Sequence, residues 1–162
     1  MYTILGIDPG SNCTGYGIVR GEGDDIGYID SGIISLRGTR EKLDKLKTIF
    51  LEIDRLLKTY SPTHVSIENV FYGKNPRSML VLGEARGAAI LAAALNGVPV
   101  FEYSAREIKQ AITGNGAADK SQVQFMLAKI LHLTKPMAVA DESDALAIAL
   151  CHAFRNREWS RT

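Results

Sequence analysis

The segment Tyr2-Thr3-Ile4-Leu5-Gly6-Ile7-Asp8-Pro9-Gly10-Ser11 decides the fold, because a run of strand-forming residues ends on a carboxylate and passes straight into a turn. Pro at the second turn position and Gly at the third reverse the chain, and Thr14 to Arg20 then reads as a second strand. Gly-Glu-Gly-Asp-Asp at 21–25 makes the next reversal, and Ile26 to Leu36 reads as a third strand. The chain therefore opens on a three-stranded meander.

From 39 to 60 the apolar residues Leu43, Leu46, Phe50, Ile53 and Leu57 recur at spacings of three and four, which predicts an amphipathic helix closed by Pro62. Thr63 to Val70 reads as a fourth strand, Pro76 to Leu95 as a helix stopped by Asn96-Gly97, and Val98 to Tyr103 as a fifth strand. Ser104 is placed to cap a short helix through Ile112, and helices at about 120–133 and 141–157 complete the chain. A right-handed crossover from the meander sets strand four beside strand one and parallel to it. The expected architecture is α/β: a mixed five-stranded sheet in the order 3-2-1-4-5, flanked by helices.

The 162 residues suit one domain, taken as 1–157 with 158–162 a short tail. A formal net charge of +1 leaves any polyanion surface to local clustering. No apolar run is judged long enough to cross a bilayer, and the first residues lack the features of a signal peptide, so a cytoplasmic protein without a membrane partner is expected. Cys13 and Cys151 form no C-x-x-C pair and are read as ordinary small residues.

The chemistry is carried by Asp8, Glu68, Asp141 and Asp144, acids at the ends of apolar segments. Asp8 and Glu68 fall at the carboxyl ends of neighbouring parallel strands, where open α/β sheets place ligands. Asp141 and Asp144 are three apart at a helix start and share a face. Asp8 taken alone reads as a turn residue, and the helix pair taken alone as an N-cap followed by a first-turn acid. Glu68 has no such role in a central strand. Together the four call for neutralisation by divalent cations. Oxygen-only donors point to magnesium or manganese rather than zinc, and two such ions roughly 4 Å apart can activate water on a phosphodiester. His152, eight residues beyond Asp144, lies too far along its helix to join them.

Gly-Ile-Asp-Pro-Gly-Ser (6–11), Thr-Gly-Tyr-Gly (14–17), Ile-Glu-Asn-Val-Phe (67–71), Gly-Glu-Ala-Arg-Gly (83–87), Lys-Ser-Gln-Val-Gln (120–124) and Asp-Glu-Ser-Asp-Ala-Leu-Ala-Ile-Ala (141–149) together resemble the RuvC family of Holliday-junction resolvases. The resemblance spans nearly the whole chain. It implies a ribonuclease H-like fold and a homodimer that makes paired, magnesium-dependent nicks in four-way junction DNA during recombination and repair, working with the RuvA and RuvB branch-migration proteins. It implies catalytic and metal-binding roles for Asp8, Glu68, Asp141 and Asp144. It also makes Lys120, otherwise a solvated helix-start lysine, a catalytic and DNA-contacting residue, with Lys109 a second DNA contact.

Phe71 and Tyr72 lead into Gly-Lys-Asn-Pro-Arg, so aromatic surface lies beside the cations Lys74 and Arg77 in one loop. Phe71 reads either as packing beneath that loop or as stacking on an unpaired base while Lys74 and Arg77 hold the backbone, and the resemblance favours stacking. Gly83 and Gly87 mark the second helix either as packed internally or as part of a dimer contact. Two rival functions remain. An actin-like nucleotide-binding domain would need a second related half, and a non-catalytic junction scaffold would not need four intact acids.

Overall fold

A computed structural model of the protein describes residues 1–23, 25–39, 41–69, 75–134 and 140–156. Strands β1 (Tyr2–Asp8), β2 (Cys13–Glu22) and β3 (Asp25–Ser35) form the meander, followed by α1 (Lys42–Tyr60), β4 (His64–Glu68), α2 (Pro76–Leu95) and β5 (Val100–Tyr103). Helices α3 (Ala105–Thr113), α4 (Lys120–Ile130) and α5 (Ala140–Arg155) follow. The sheet order is β3-β2-β1-β4-β5, as the crossover rule requires. β1 runs antiparallel to β2 and parallel to β4, with Gly6 opposite Ser66 and Ile7 opposite Ile67. Val70, Phe71, Tyr72 and Lys74, like residue 157 and the tail at 158–162, lie outside the described residues.

Strand alternation sorts the side chains onto two faces. Leu5, Ile7, Ile18, Val65 and Ile67 turn to one face and bury against Ile49, Ile53 and Leu56 of α1 and the alanines of α2. Ile4 and Val19 turn to the other and meet Leu146, Ile148 and Leu150 of α5, with Ile108 and Leu127 of α3 and α4 beyond. Each fully buried isoleucine or leucine contributes about 1.5–3 kcal/mol through removal from water.

The face of α1 differs from the expected stripe. Leu43 is 76% exposed, and the buried line runs through Ile49, Ile53, Leu56 and Leu57. The first turn of α1 instead faces α2 through a Lys42–Glu84 ion pair of 2.8 Å. α2 also departs from expectation. It is long and apolar enough, by length and composition alone, to cross a membrane. Two of its charged residues nevertheless pair with other elements, Glu84 with Lys42 and Arg86 with Glu102.

α5 lies against the sheet more closely than ordinary side chains allow. A Cβ at Gly6 would stand 2.1 Å from the Ala145 carbonyl oxygen, one at Gly15 2.1 Å from that of Asp141, and one at Gly17 2.7 Å from Leu146. Gly6 and Gly17 are register partners across β1 and β2. These glycines form a trough that seats α5, because only a residue without Cβ lets two backbones approach so near. Ser66 of β4 continues the contact by donating its hydroxyl to the Ile148 carbonyl at 3.2 Å.

Candidate metal centre and nucleic-acid interface

Asp8 ends β1 two residues beyond Gly6 and therefore faces α5, while Glu68 ends β4 two residues beyond Ser66 and faces the same way. The trough brings the first turns of α5 down onto this edge. One carboxylate oxygen from each of Asp8, Asp141 and Asp144 then lies within 4.8 Å of the others. Three of the four expected acids thus meet within reach of one ion. Glu68 stands outside that group and lines, with Asp144, Lys109 and Lys120, a cavity of about 260 Å³ whose apolar lining comes from Ala105, Ile108, Val123, Ala147 and Ile148.

The electrostatics fit a cation site. Burial, then the charges of Asp144, Glu68 and Asp141, push the Asp8 carboxyl up to about 7, with Lys120 opposing. Glu68 is raised by burial and by Asp144, against the pull of Lys109. A set of oxygen donors under mutual repulsion is the environment that hard divalent ions stabilise.

Asp141 sits in the first turn of α5 and is not its N-cap, and both acids of the pair have side-chain partners on other elements. Asp141 lies inside α5, and the hydrogen bond its Oδ2 accepts comes from the Cys13 thiol on β2, at 2.8 Å. Asp144 pairs through Oδ2 with Lys120 Nζ at 2.7 Å. Lys120 is the first residue of α4, whose start is fixed by the capping box of Asp119 and Gln122. A second box, Ser104 with Glu107, starts α3 and sets the helix that carries Lys109. Arg77 is exposed in the first turn of α2, in the helical layer on the opposite face. His152 is buried away from the acids, its Nδ1 2.6 Å from the Tyr103 hydroxyl, in keeping with its exclusion as a ligand.

Sequence reading missed two features of this site. Cys13, taken as an ordinary small residue, bonds directly to one of the acids. The glycines at 6, 15 and 17 set the depth of α5, and the signal was present in Gly-Tyr-Gly within a strand, a pattern that marks close backbone approach.

The family model described as crossover junction endodeoxyribonuclease RuvC matches residues 4–152. A crossover junction endodeoxyribonuclease RuvC from Marinobacter nauticus is 52% identical over 158 residues, covering 97% of this chain and 89% of the relative. Another so named, from Pseudoalteromonas translucida, is 54% identical over 153 residues, covering 94% and 87%. Among solved structures, T. thermophilus RuvC in complex with Holliday junction substrate superposes with a TM-score of 0.92 at 30% identity, covering 99% of this chain and 98% of that one.

Proposed function

Since the chain belongs to the RuvC family of crossover junction endodeoxyribonucleases, we propose that it resolves Holliday junctions by hydrolysing phosphodiester bonds at a divalent-metal centre held by Asp8, Glu68, Asp141 and Asp144. One observation carries the site assignment: the carboxylates of Asp8, Asp141 and Asp144 converge within 4.8 Å although they come from opposite ends of the sequence. The metal is magnesium, two ions per subunit, with manganese able to substitute. Such ions supply Lewis acidity and an activated water at a scissile phosphate.

The protein residues do the rest. Lys120 and Lys109 flank the cavity beside the acids and offer positive charge to a phosphate and to its transition state. Lys120 Nζ pairs with Asp144 Oδ2 at 2.7 Å. The apolar lining of the cavity suits a sugar or base edge next to the cleaved bond. Phe71, Lys74 and Arg77, in the stretch of chain that follows Glu68, extend the DNA contact beyond the metal centre as the stacking and backbone-holding group.

The chain works as a homodimer. Supporting this, α2 leaves Leu80, Leu91 and Leu95 69%, 53% and 68% exposed, and nothing among the described residues lies within 4 Å of where a Cβ at Gly83 or Gly87 would stand. An apolar helix face with room for close backbone approach suits a second copy, and a two-fold dimer matches a near-symmetric junction. Function in recombination and repair, with RuvA and RuvB as partners in the cytoplasm, completes the proposal.

The deciding assay compares a synthetic four-way junction with a linear duplex of matched sequence, with and without magnesium. Paired nicks in the junction alone, dependent on the metal, are expected. Equal cutting of both substrates, or cutting without divalent ions, would overturn the reading.

A further inference from the structure

Asp141 is held by a side chain outside the acidic set. Cys13 is the first residue of β2, half-buried, and its thiol donates to Asp141 Oδ2 at 2.8 Å. Two residues on, Gly15 leaves the space that the Asp141 backbone fills. On the next strand Ser31 Oγ donates to Glu142 Oε1. Side chains of the β2–β3 hairpin therefore grip two successive acids in the first turn of α5.

A carboxylate has about four lone-pair positions, so a single donor on Oδ2 leaves Oδ1 and part of Oδ2 able to ligate. An aspartate free in its χ angles must lose that freedom when an ion binds, whereas one already oriented by a neighbouring donor does not. Of the three clustered carboxylates, Asp144 is held by a lysine that can turn to phosphate, and Asp141 is held by a neutral donor fixed to the sheet. Neutrality matters here. A thiol orients the carboxylate without cancelling the charge that attracts the cation.

We propose that Cys13 is a positioning residue of the metal centre, its thiol fixing the Asp141 carboxylate in the orientation that receives the divalent ion. This rests on Asp141 being a metal ligand, and the test separates the two statements. Manganese binding to the full chain without DNA is measured by water-proton relaxation enhancement for the wild type, Cys13→Ala, Cys13→Val, Cys13→Ser and Asp141→Asn, with circular dichroism melting as the folding check. Ala and Val are expected to weaken manganese binding about tenfold, and Ser, which keeps a donor, to stay within about twofold of the wild type. The magnesium concentration for half-maximal junction cleavage should rise in the same order.

Val fills the thiol volume and suits a strand, so it carries the test if Ala fails to fold. Unchanged affinity in Ala and Val, alongside weakened binding in Asp141→Asn, overturns the role of Cys13 and leaves the metal site standing. Failure of Ser to restore affinity also overturns it, since a hydrogen-bond donor in the thiol's place would then not be what holds Asp141. Unchanged affinity in Asp141→Asn overturns the metal-site reading itself.

Discussion

Asp8 sets function against stability. Its carboxyl is pushed up to about 7, against about 3.9 in an unfolded chain. The folded state therefore holds the proton more tightly, and the stability this contributes is whole below about pH 4 and lost as pH rises through about 7. Asp8→Asn, uncharged throughout, is expected to abolish cleavage while melting on the order of 5 °C above the wild type in metal-free buffer at pH 8. That advantage should vanish towards pH 4, and magnesium should narrow it by stabilising the wild type. Calorimetry across pH checks this, and equal midpoints at pH 8 would exclude a repulsive pocket. Lys120→Ala should slow junction cleavage at least about tenfold and lower the salt slope by roughly one counterion, read from initial rates over a potassium chloride series. The acids were legible because carboxylates ending apolar strands are costly without a purpose. Cys13 was not, because its importance lies in a contact across 128 positions of sequence that no local pattern encodes.

At the scale of elements, the site exists because α5 can sink onto β1 and β2. Gly6→Ala would drive a Cβ to 2.1 Å from the Ala145 carbonyl oxygen, with backbone on both sides and no flexible side chain to yield. Lifting α5 is expected to cost about 1–3 kcal/mol in urea unfolding and to reduce cleavage further than that loss explains, since Asp141 and Asp144 move with the helix. Gly27→Ala serves as the contrast, because its Cβ would meet only the Arg20 carbonyl at 3.9 Å. Its stability should stay within about 0.5 kcal/mol of the wild type. Strand order and helix count were readable from alternation, turns and crossover handedness. The face of α1 was not, since a three-four spacing that includes Leu43 does not tell which turns lie over the sheet and which reach past it towards α2. The depth of α5 was also hidden, because close packing depends on glycines of two strands meeting in register.

At the scale of the molecule, the exposed leucines of α2 share the α1–α2 layer with exposed Leu43, on the face opposite the acids. Burying a standard interface of roughly 1,600 Å² there would leave both metal centres open to DNA. Leu80→Lys with Leu91→Lys is expected to shift sedimentation to the monomer and to turn paired nicks into single, uncoordinated ones. A dimer of unchanged stability would place the contact elsewhere. The order of elements along the chain has a consequence for synthesis. Two of the four acids ride on α5, the last of the described elements, while Asp8 and Glu68 lie on strands that precede it in the chain. A growing polypeptide still lacking that helix holds only half of the proposed ion-binding set, so the newborn protein stays harmless to the chromosome until α5 has emerged and docked.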